Sequence, residues 1–548
     1  MNTAEFIVKI LETKGVKYIF GHPGEQILPF YAALSTSTIK HILMRHEQGA
    51  IHGADGYART SADFGVCVAT AGPGALNFTM GLATAFKDSV PLLVITGNNS
   101  SSSNKFQDID IDSIFKPITF KSFHPLDGKN AVKNIKKAIE ILKTEPKGPI
   151  HINLPKDVLL DEDIEIFDED LGNFLEDEVF YSPNFDYSQL DMVAEELRKA
   201  KKPLILAGAG IFWGKSIVEF KQFVETNNIP FVHTYHAKSL IGRSKMDLGL
   251  VGIRGSNMGN YAVNNADLII VLGSRLSERT IDSGGDFSVV GKEHSKFKTL
   301  GAKVIHVNID ETVLSGDINI HGDLNFVLKE LNSFGKIADF NESWLDEIFK
   351  NNEEYLIDGV DSENIPIKPQ TAIKIILSSF KYNFIVNDAG SHTTWVNLLS
   401  EKYSNEKLIF SGAMAPMGYG LPAACGASVG TAKDGEIGGK IVLINGDGGF
   451  QMNIQELATI SSYNLPILIV VLNNSELGII RQWEEHYYDN IRFEVDLENP
   501  DFISLAKAYG IGGETVNSKE ELKLAIKNLK LDKPYLIEVL IEKEDIPI

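Results

Sequence analysis

A strand-like apolar run, Lys440-Ile441-Val442-Leu443-Ile444, leads into Gly446-Asp447-Gly448, and a second, Ile467 to Leu472, ends on Asn473-Asn474. An aspartate and an asparagine at the carboxyl ends of two neighbouring strands put two hard oxygen ligands on one small dication. Mg²⁺ takes such ligands and keeps phosphate oxygens and water in its other positions. The glycines let the backbone approach a diphosphate, and the helix-like stretch after GDG offers that charge its N-terminus. GDG alone is a common tight turn, and NN alone a common loop. Strand, GDG, helix, strand and NN in that order point instead to a metal-held diphosphate.

Other segments carry chemistry-bearing residues in less specific settings. Glu47 stands where a strand, His41 to Met44, gives way to an alanine- and glycine-rich helix; in isolation it is a helix-start carboxylate favoured by the macrodipole. Met417 lies in a glycine-rich turn, Gly412 to Ala424, and by residue type alone is a buried methionine. Gly390-Ser391-His392-Thr393 follows another strand end, where His392 reads either as a diphosphate contact or as a solvent-facing loop histidine. Gly208-Ala209-Gly210 follows Pro203 to Ala207, but the full GxGxxG dinucleotide pattern fails because Phe212 and Trp213 come next.

The elements that must position these residues fall into three α/β blocks. Tyr18-Ile19-Phe20, Val66 to Ala69, Leu92 to Ile95 and Ile150 to Leu154 alternate with helical stretches, the pattern of a parallel sheet covered on both faces. An acidic segment, Asp161 to Asp177, reads as an exposed linker. The second block has strands at Pro203 to Ala207, Leu268 to Leu272 and Lys303 to Asn308, and fades into an acidic, asparagine-rich stretch around Asn351 to Asn364. The third has strands at Phe384 to Val386, Ile441 to Ile444, Ile467 to Leu472 and Tyr535 to Leu540. Three doubly wound parallel-sheet domains are therefore expected at residues 1–165, 186–345 and 365–548. The first and third share size and pattern, a hint of an old duplication.

Composition agrees. A chain of 548 residues is too long for one core, and a net charge of −21 argues against nucleic-acid binding, which needs a basic face. Two cysteines, Cys67 and Cys425, exclude a disulfide framework or a cysteine metal cluster and favour a reducing cytoplasm. The N-terminal stretch reads as a charged amphipathic helix, not a signal peptide, and no apolar run is long enough to span a membrane.

Taken together these segments resemble the thiamine-diphosphate-dependent enzymes. GDG followed by NN is similar to their metal and diphosphate motif, and RHEQGAIHGADGYART, from Arg45 to Thr60, is similar to their activating-glutamate segment. Nearly the whole chain is similar to the acetolactate synthase (acetohydroxyacid synthase) large-subunit branch. The matching stretches include Gly21-His22-Pro23-Gly24, Thr70 to Ala75, Phe106-Gln107, Leu154-Pro155-Lys156-Asp157, Asn453 to Thr459 and Arg481-Gln482-Trp483.

The resemblance implies a first domain that binds the cofactor's pyrimidine, a central domain like those that bind FAD or NAD, and a third that binds the diphosphate. Asp447, Asn474 and the backbone oxygen of Glu476 would hold Mg²⁺, with Gly446, Gly448, Gly449, Gly390, Ser391 and His392 around the diphosphate. Glu47 would press on a ring nitrogen of the aminopyrimidine so that the ring can take the C2 proton, best done in an apolar pocket. Met417 would wedge beneath the cofactor to bend it, and the Ala415 carbonyl would receive its amine. Phe106, Gln107 and Lys156 match substrate-pocket positions, Gln107 as a donor to a developing alkoxide, and Trp483 matches the residue that selects the acceptor by shape. Gly208, Gly210, Arg254, Arg275 and Arg279 match FAD-contacting segments, a FAD without net redox chemistry; Arg275 and Arg279 read equally as an arginine pair bridging domains. The implied activity adds pyruvate to the cofactor, releases CO₂ and passes the remaining two carbons to a second 2-keto acid, in branched-chain amino acid biosynthesis. A homodimer or homotetramer with sites shared between subunits, and a regulatory small subunit, are the implied partners.

The departures concern the acceptor. After Pro23-Gly24 the family usually continues with small residues, whereas here Glu25-Gln26 follow. A carboxyl group there is similar to the acid of keto-acid decarboxylases. Glu25 either turns the reaction toward decarboxylation or a different acceptor, or is a solvated helix-start acid. Pro416 replaces a usual threonine, Ser391 a usual glutamine, and the C-terminal arm that covers the site in many members is expected to be absent. A 2-keto-acid decarboxylase, a carboligase with an aldehyde or keto-sugar acceptor, and a FAD-dependent pyruvate oxidase are the alternatives.

Overall fold

The computed structural model describes residues 1–100, 106–144, 146–162, 187–242, 244–252, 255–277, 280, 302–338, 342–350, 358–379, 381–432 and 438–546. They form three six-stranded sheets in which all neighbouring strands run parallel, flanked by helices. The first holds β1 (Tyr18–Gly21), β2 (Lys40–Leu43), β3 (Gly65–Ala69), β4 (Leu92–Asn98), β5 (Lys121–Phe123) and β6 (Pro149–Pro155), in the order β2-β1-β3-β4-β6-β5. The third holds β13 (Phe384–Asn387), β14 (Lys407–Ile409), β15 (Ile441–Gly446), β16 (Ile467–Asn473), β17 (Gly512–Val516) and β18 (Tyr535–Leu540). Its order, β14-β13-β15-β16-β18-β17, repeats that of the first sheet strand for strand.

The middle sheet differs. Its strands are β7 (Pro203–Ala207), β8 (Phe231–His233), β9 (Asp247–Leu250), β10 (Leu268–Leu272), β11 (Lys303–Asn308) and β12 (Ile318–His321). They lie in the order β12-β11-β10-β7-β8-β9, which read from the other edge is the 3-2-1-4-5-6 arrangement of dinucleotide-binding sheets. The strand order reverses at β1/β3, β7/β10 and β13/β15, and in the first and third sheets it turns back again at the far edge, where β5 and β17 lie outside β6 and β18. Ligands of open α/β sheets bind beyond the carboxyl ends of the strands at such a reversal.

The first and third domains share one continuous apolar core. Its seam is the Gly420–Gly430 helix packed on the Glu47–Ser61 helix. The former is apolar all round and buried along nearly its whole length, as a helix enclosed by protein must be. Glycines set the approach: a Cβ on Gly56 would overlap the Ala423 carbonyl, and one on Gly426 the Gly53 carbonyl. No helix among the described residues is long and apolar enough to cross a membrane.

Candidate active site

A cavity of about 1160 Å³ opens at the β13/β15 reversal and runs along the middle domain to the end of the first. Gly390, Ser391 and His392 reach it from the start of the Ser391–Tyr403 helix after β13, and Gly446, Asp447, Gly448 and Gly449 from the turn after β15. His392 is buried, its Nε2 has no hydrogen-bond partner among the described residues, and burial pushes its pKa down to about 4. A neutral imidazole carries its proton on one nitrogen only, so the open Nε2 receives an anionic oxygen in the tautomer protonated there, and such a ligand would pair an atom otherwise left buried and unpartnered. A Cβ on Gly446 would stand 3.3 Å from His392 Nδ1, so the bare glycine leaves a cradle beside this ring.

Asp447 is held ready for a cation. Its Oδ1 accepts the Gly448 N–H at 3.0 Å, and its Oδ2 accepts the Ser475 N–H at 2.8 Å and the Asn499 amide at 2.7 Å. Burial nonetheless pushes its carboxyl pKa upward, which a bound dication would reverse. The two asparagines after β16 divide. Asn473 is turned into the protein, donating to Glu538 at 2.7 Å and accepting from Asn499 at 2.9 Å, whereas Asn474 lines the cavity. Glu476 also lines it, but its fully buried carboxylate is taken by Arg481 (3.3 Å), Arg492 (3.3 Å) and Lys543 (3.1 Å). Only its backbone carbonyl is therefore left for a metal. One carboxylate, one amide oxygen and one carbonyl fit a hard dication that keeps oxygens from a phosphate ligand.

Above this floor lies the segment 411–417. Ala415 adopts a left-handed φ of 46°, a strained setting for a non-glycine residue of the sort that clusters at ligand sites. Met417 lies over the GDG turn: a Cβ on Gly448 would be 3.2 Å from Met417 Cε. Asp388, which the sequence did not single out, anchors the turn that follows Met417. It accepts the Gly418 N–H at 2.9 Å and the Asn445 amide at 3.1 Å, and burial pushes its pKa up to about 6. Trp483 reaches the same cavity from the Gly478–Tyr487 helix.

Glu25, Glu47, Phe106, Gln107 and Lys156 do not line this cavity. They gather instead beyond the carboxyl ends of the first sheet. Glu47 opens the Glu47–Ser61 helix, and its Oε2 accepts the Asn77 amide at 2.9 Å. Gly74 sits against its other oxygen, where a Cβ would come 3.1 Å from Oε1. The Thr70 side chain lies between Gly74 and Gly24, and its hydroxyl receives the Gln26 N–H at 3.2 Å. Glu25 pairs with Lys156 at 3.6 Å, with its side chain 63% exposed. Gln107 packs on Gly72 in a left-handed conformation (φ 61°), and Phe106 is 69% exposed. One chain thus carries two groups of candidate site residues that do not line one cavity. Asn77 lies just past the Thr70 to Ala75 stretch, and its role rests on a contact 30 residues away in sequence.

In the middle domain, Gly210 and Arg275 line the cavity at the β7/β10 reversal. Gly208 lies off it, where any Cβ would overlap the Gly273 backbone, so that glycine serves the approach of two loops. The Arg275 guanidinium donates to the Lys87 carbonyl of the first domain. Arg254 and Arg279 lie outside the described residues.

Comparison with known proteins adds an independent line. Residues 1–114 match the thiamine pyrophosphate enzyme N-terminal TPP binding domain, 190–331 its central domain, and 388–539 its C-terminal TPP binding domain. The chain is 37% identical to the acetolactate synthase large subunit of Lactococcus lactis, over 99% of this chain and 93% of that protein. It is 36% identical to a probable acetolactate synthase large subunit of Methanocaldococcus jannaschii, over 99% and 92% of the two chains. The acetolactate synthase isozyme 2 large subunit of Escherichia coli is 32% identical, over 99% and 96%.

Proposed function

The chain belongs to the acetolactate synthase large-subunit family of thiamine pyrophosphate enzymes, and we propose that it joins two carbons of pyruvate to a second 2-keto acid at centres shared between two copies. Bound thiamine diphosphate supplies the nucleophilic carbon and the electron sink for decarboxylation. The observation that carries the shared-centre reading is the separation of the half-sites: Glu47 lies off the cavity that collects Asp447, Asn474, His392 and Met417. A second copy, lending its Glu47, completes the arrangement.

Within such a centre Asp447, Asn474 and the Glu476 carbonyl would hold Mg²⁺, and His392 with the glycine turns would receive the diphosphate. Met417 would support the cofactor, the Ala415 carbonyl would accept its amine, and Glu47 Oε1 would hold a proton for the ring. Gln107, Lys156 and Phe106 meet the substrate, and Trp483 narrows the acceptor side. The β7/β10 end of the cavity, with Gly210 and Arg275, is the place for a flavin dinucleotide. The designation of the relatives as large subunits supports a small regulatory partner.

Glu25 bears on the fate of the two-carbon unit. Its pairing with Lys156 lowers the positive charge that a second 2-keto acid would meet. Incubating the protein with pyruvate, thiamine diphosphate and Mg²⁺, with and without 2-ketobutyrate, tests the assignment. Acetolactate is expected from pyruvate alone, with a mixed product on adding 2-ketobutyrate, and Glu25→Gly should raise the ligated fraction. Acetaldehyde as the sole product would mean a decarboxylase. Bleaching of a flavin band by pyruvate would mean an oxidase.

A further inference from the structure

Glu456 follows the GDG turn in sequence and belongs to the third domain, yet its side chain acts on the first. It ends the short Ile454–Glu456 turn and is fully buried. Its Oε1 accepts the backbone N–H of Arg45 at 3.1 Å and of His46 at 3.2 Å. Its Oε2 accepts the Arg45 N–H at 3.2 Å and the Thr459 hydroxyl at 2.6 Å. Those two amides immediately precede Glu47, at the N-terminus of a 15-residue helix. The room for this carboxylate comes from Gly49, where a Cβ would overlap Glu456 Oε1. Burial pushes the Glu456 carboxyl pKa upward, while the N–H donors and the helix dipole favour its charge.

We propose that Glu456 is the positioning residue for Glu47, and that each chain's Glu456 governs the centre to which that chain lends Glu47, not the centre built on its own GDG turn. The proposal rests on the shared-centre reading above. Glu47 is fixed at two levels, its Oε2 by Asn77 and its backbone by Glu456. The ring of the nearby His46 is engaged elsewhere, its Nδ1 accepting the Gln48 N–H at 3.1 Å. With Glu456 neutralised, the Arg45 and His46 amides lose a charged acceptor and the helix start can rotate. A displaced carboxylate slows proton exchange with the ring without removing a substrate contact.

Hybrid dimers of two differently tagged chains test this. A Glu47→Gln chain paired with an Asp447→Ala chain retains one intact centre, made from Glu47 of the second and the GDG turn of the first. About half the native activity is expected, with neither variant active alone. Adding Glu456→Gln to the Asp447→Ala chain should lower the hybrid's kcat about tenfold or more with little change in KM for pyruvate. Adding it to the Glu47→Gln chain should leave the hybrid unchanged. A purely structural role would lower both hybrids alike, and that result, or no effect in either, overturns the proposal. An inactive starting hybrid refutes the shared-centre reading, and the proposal falls with it. If Glu456→Gln does not fold, Glu456→Asp, which keeps the charge but shortens the reach, makes the same comparison.

Discussion

In the proposed centre Glu47 would exchange a proton through two oxygens that the fold makes unequal. Asn77 donates to Oε2, and Gly74 leaves a bare approach at Oε1. Removing the amide frees the carboxylate to turn and forfeits a hydrogen bond to a charged group, worth about 1.5–3 kcal/mol. Asn77→Ala is therefore expected to lower kcat about tenfold or more, with pyruvate KM little changed, as steady-state kinetics would read. A rise in KM with kcat intact would place Asn77 in substrate binding instead. At this scale the sequence was legible where chemistry is local. The two strand ends bring Asp447 and Asn474 to the cavity, and Glu47 opens its helix, as the pattern has them. It was silent on partners brought in by the fold. Nothing in the letters NN says that Asn473 turns toward Glu538 while Asn474 faces the cavity. Glu456 and Asn499 likewise gain meaning only from contacts across 411 and 52 residues.

The Glu47–Ser61 helix does a second task at its other end. Arg59, in its last turn, is buried between Asp55 (2.6 Å) and Asp88 (2.9 Å) and donates to the Phe410 carbonyl at 3.1 Å. Asp88 in turn accepts the Gly412 and Ala413 N–H groups, both at 3.0 Å. The cluster thus ties the helix to the segment that carries Ala415 and Met417. Asp88→Asn leaves Arg59 short of one carboxylate in a buried site, where breaking a pair costs about 3–5 kcal/mol. Lower thermal stability and weaker thiamine diphosphate binding in a titration of the metal-loaded protein are expected together. Unchanged cofactor affinity would separate the cluster from the site. At the scale of elements, the central strands were visible as apolar runs: Pro203–Ala207, Leu268–Leu272, Lys303–Asn308 and Tyr535–Leu540 stand where the pattern put them. Lys121–Phe123, Phe231–His233, Asp247–Leu250, Ile318–His321, Lys407–Ile409 and Gly512–Val516 escaped notice. All but Phe231–His233, an interior strand of three residues, are sheet edges. An edge strand has one neighbour and can be short and partly polar, so it lacks the continuous apolar run that burial on both faces imposes.

Across the whole molecule, the cavity depends on how the middle domain is seated on the third, and charge holds that seat. His233, at the end of β8, lies buried with Nε2 3.3 Å from Glu401 and 3.7 Å from Asp247. Lys238 donates to the Ser400 carbonyl at 2.9 Å in the same seam. Burial alone would hold the His233 pKa down, but Glu401 and Asp247 outweigh it and raise it to about 9. An unfolded histidine titrates near 6.5. The folded protein therefore binds the proton more tightly than the unfolded chain does. That stability is complete below about pH 6.5 and is lost as pH rises through about 9. In the same seam burial pushes the Asp247 carboxyl upward and the Lys238 ammonium downward, while burial is outweighed by His233 at Glu401, whose carboxyl is held below its usual value. Thermal unfolding followed from pH 6.5 to pH 9 should show the native protein losing stability on the order of a few kcal/mol. His233→Gln should start lower and change less, so that the two curves converge at the alkaline end. Parallel curves would show that the seam is held by packing and that the buried imidazolium contributes nothing. If the curves do converge, the middle domain loosens from the third as the pH rises, and cofactor retention should fall over the same interval, because the cavity is lined from both sides of that seam.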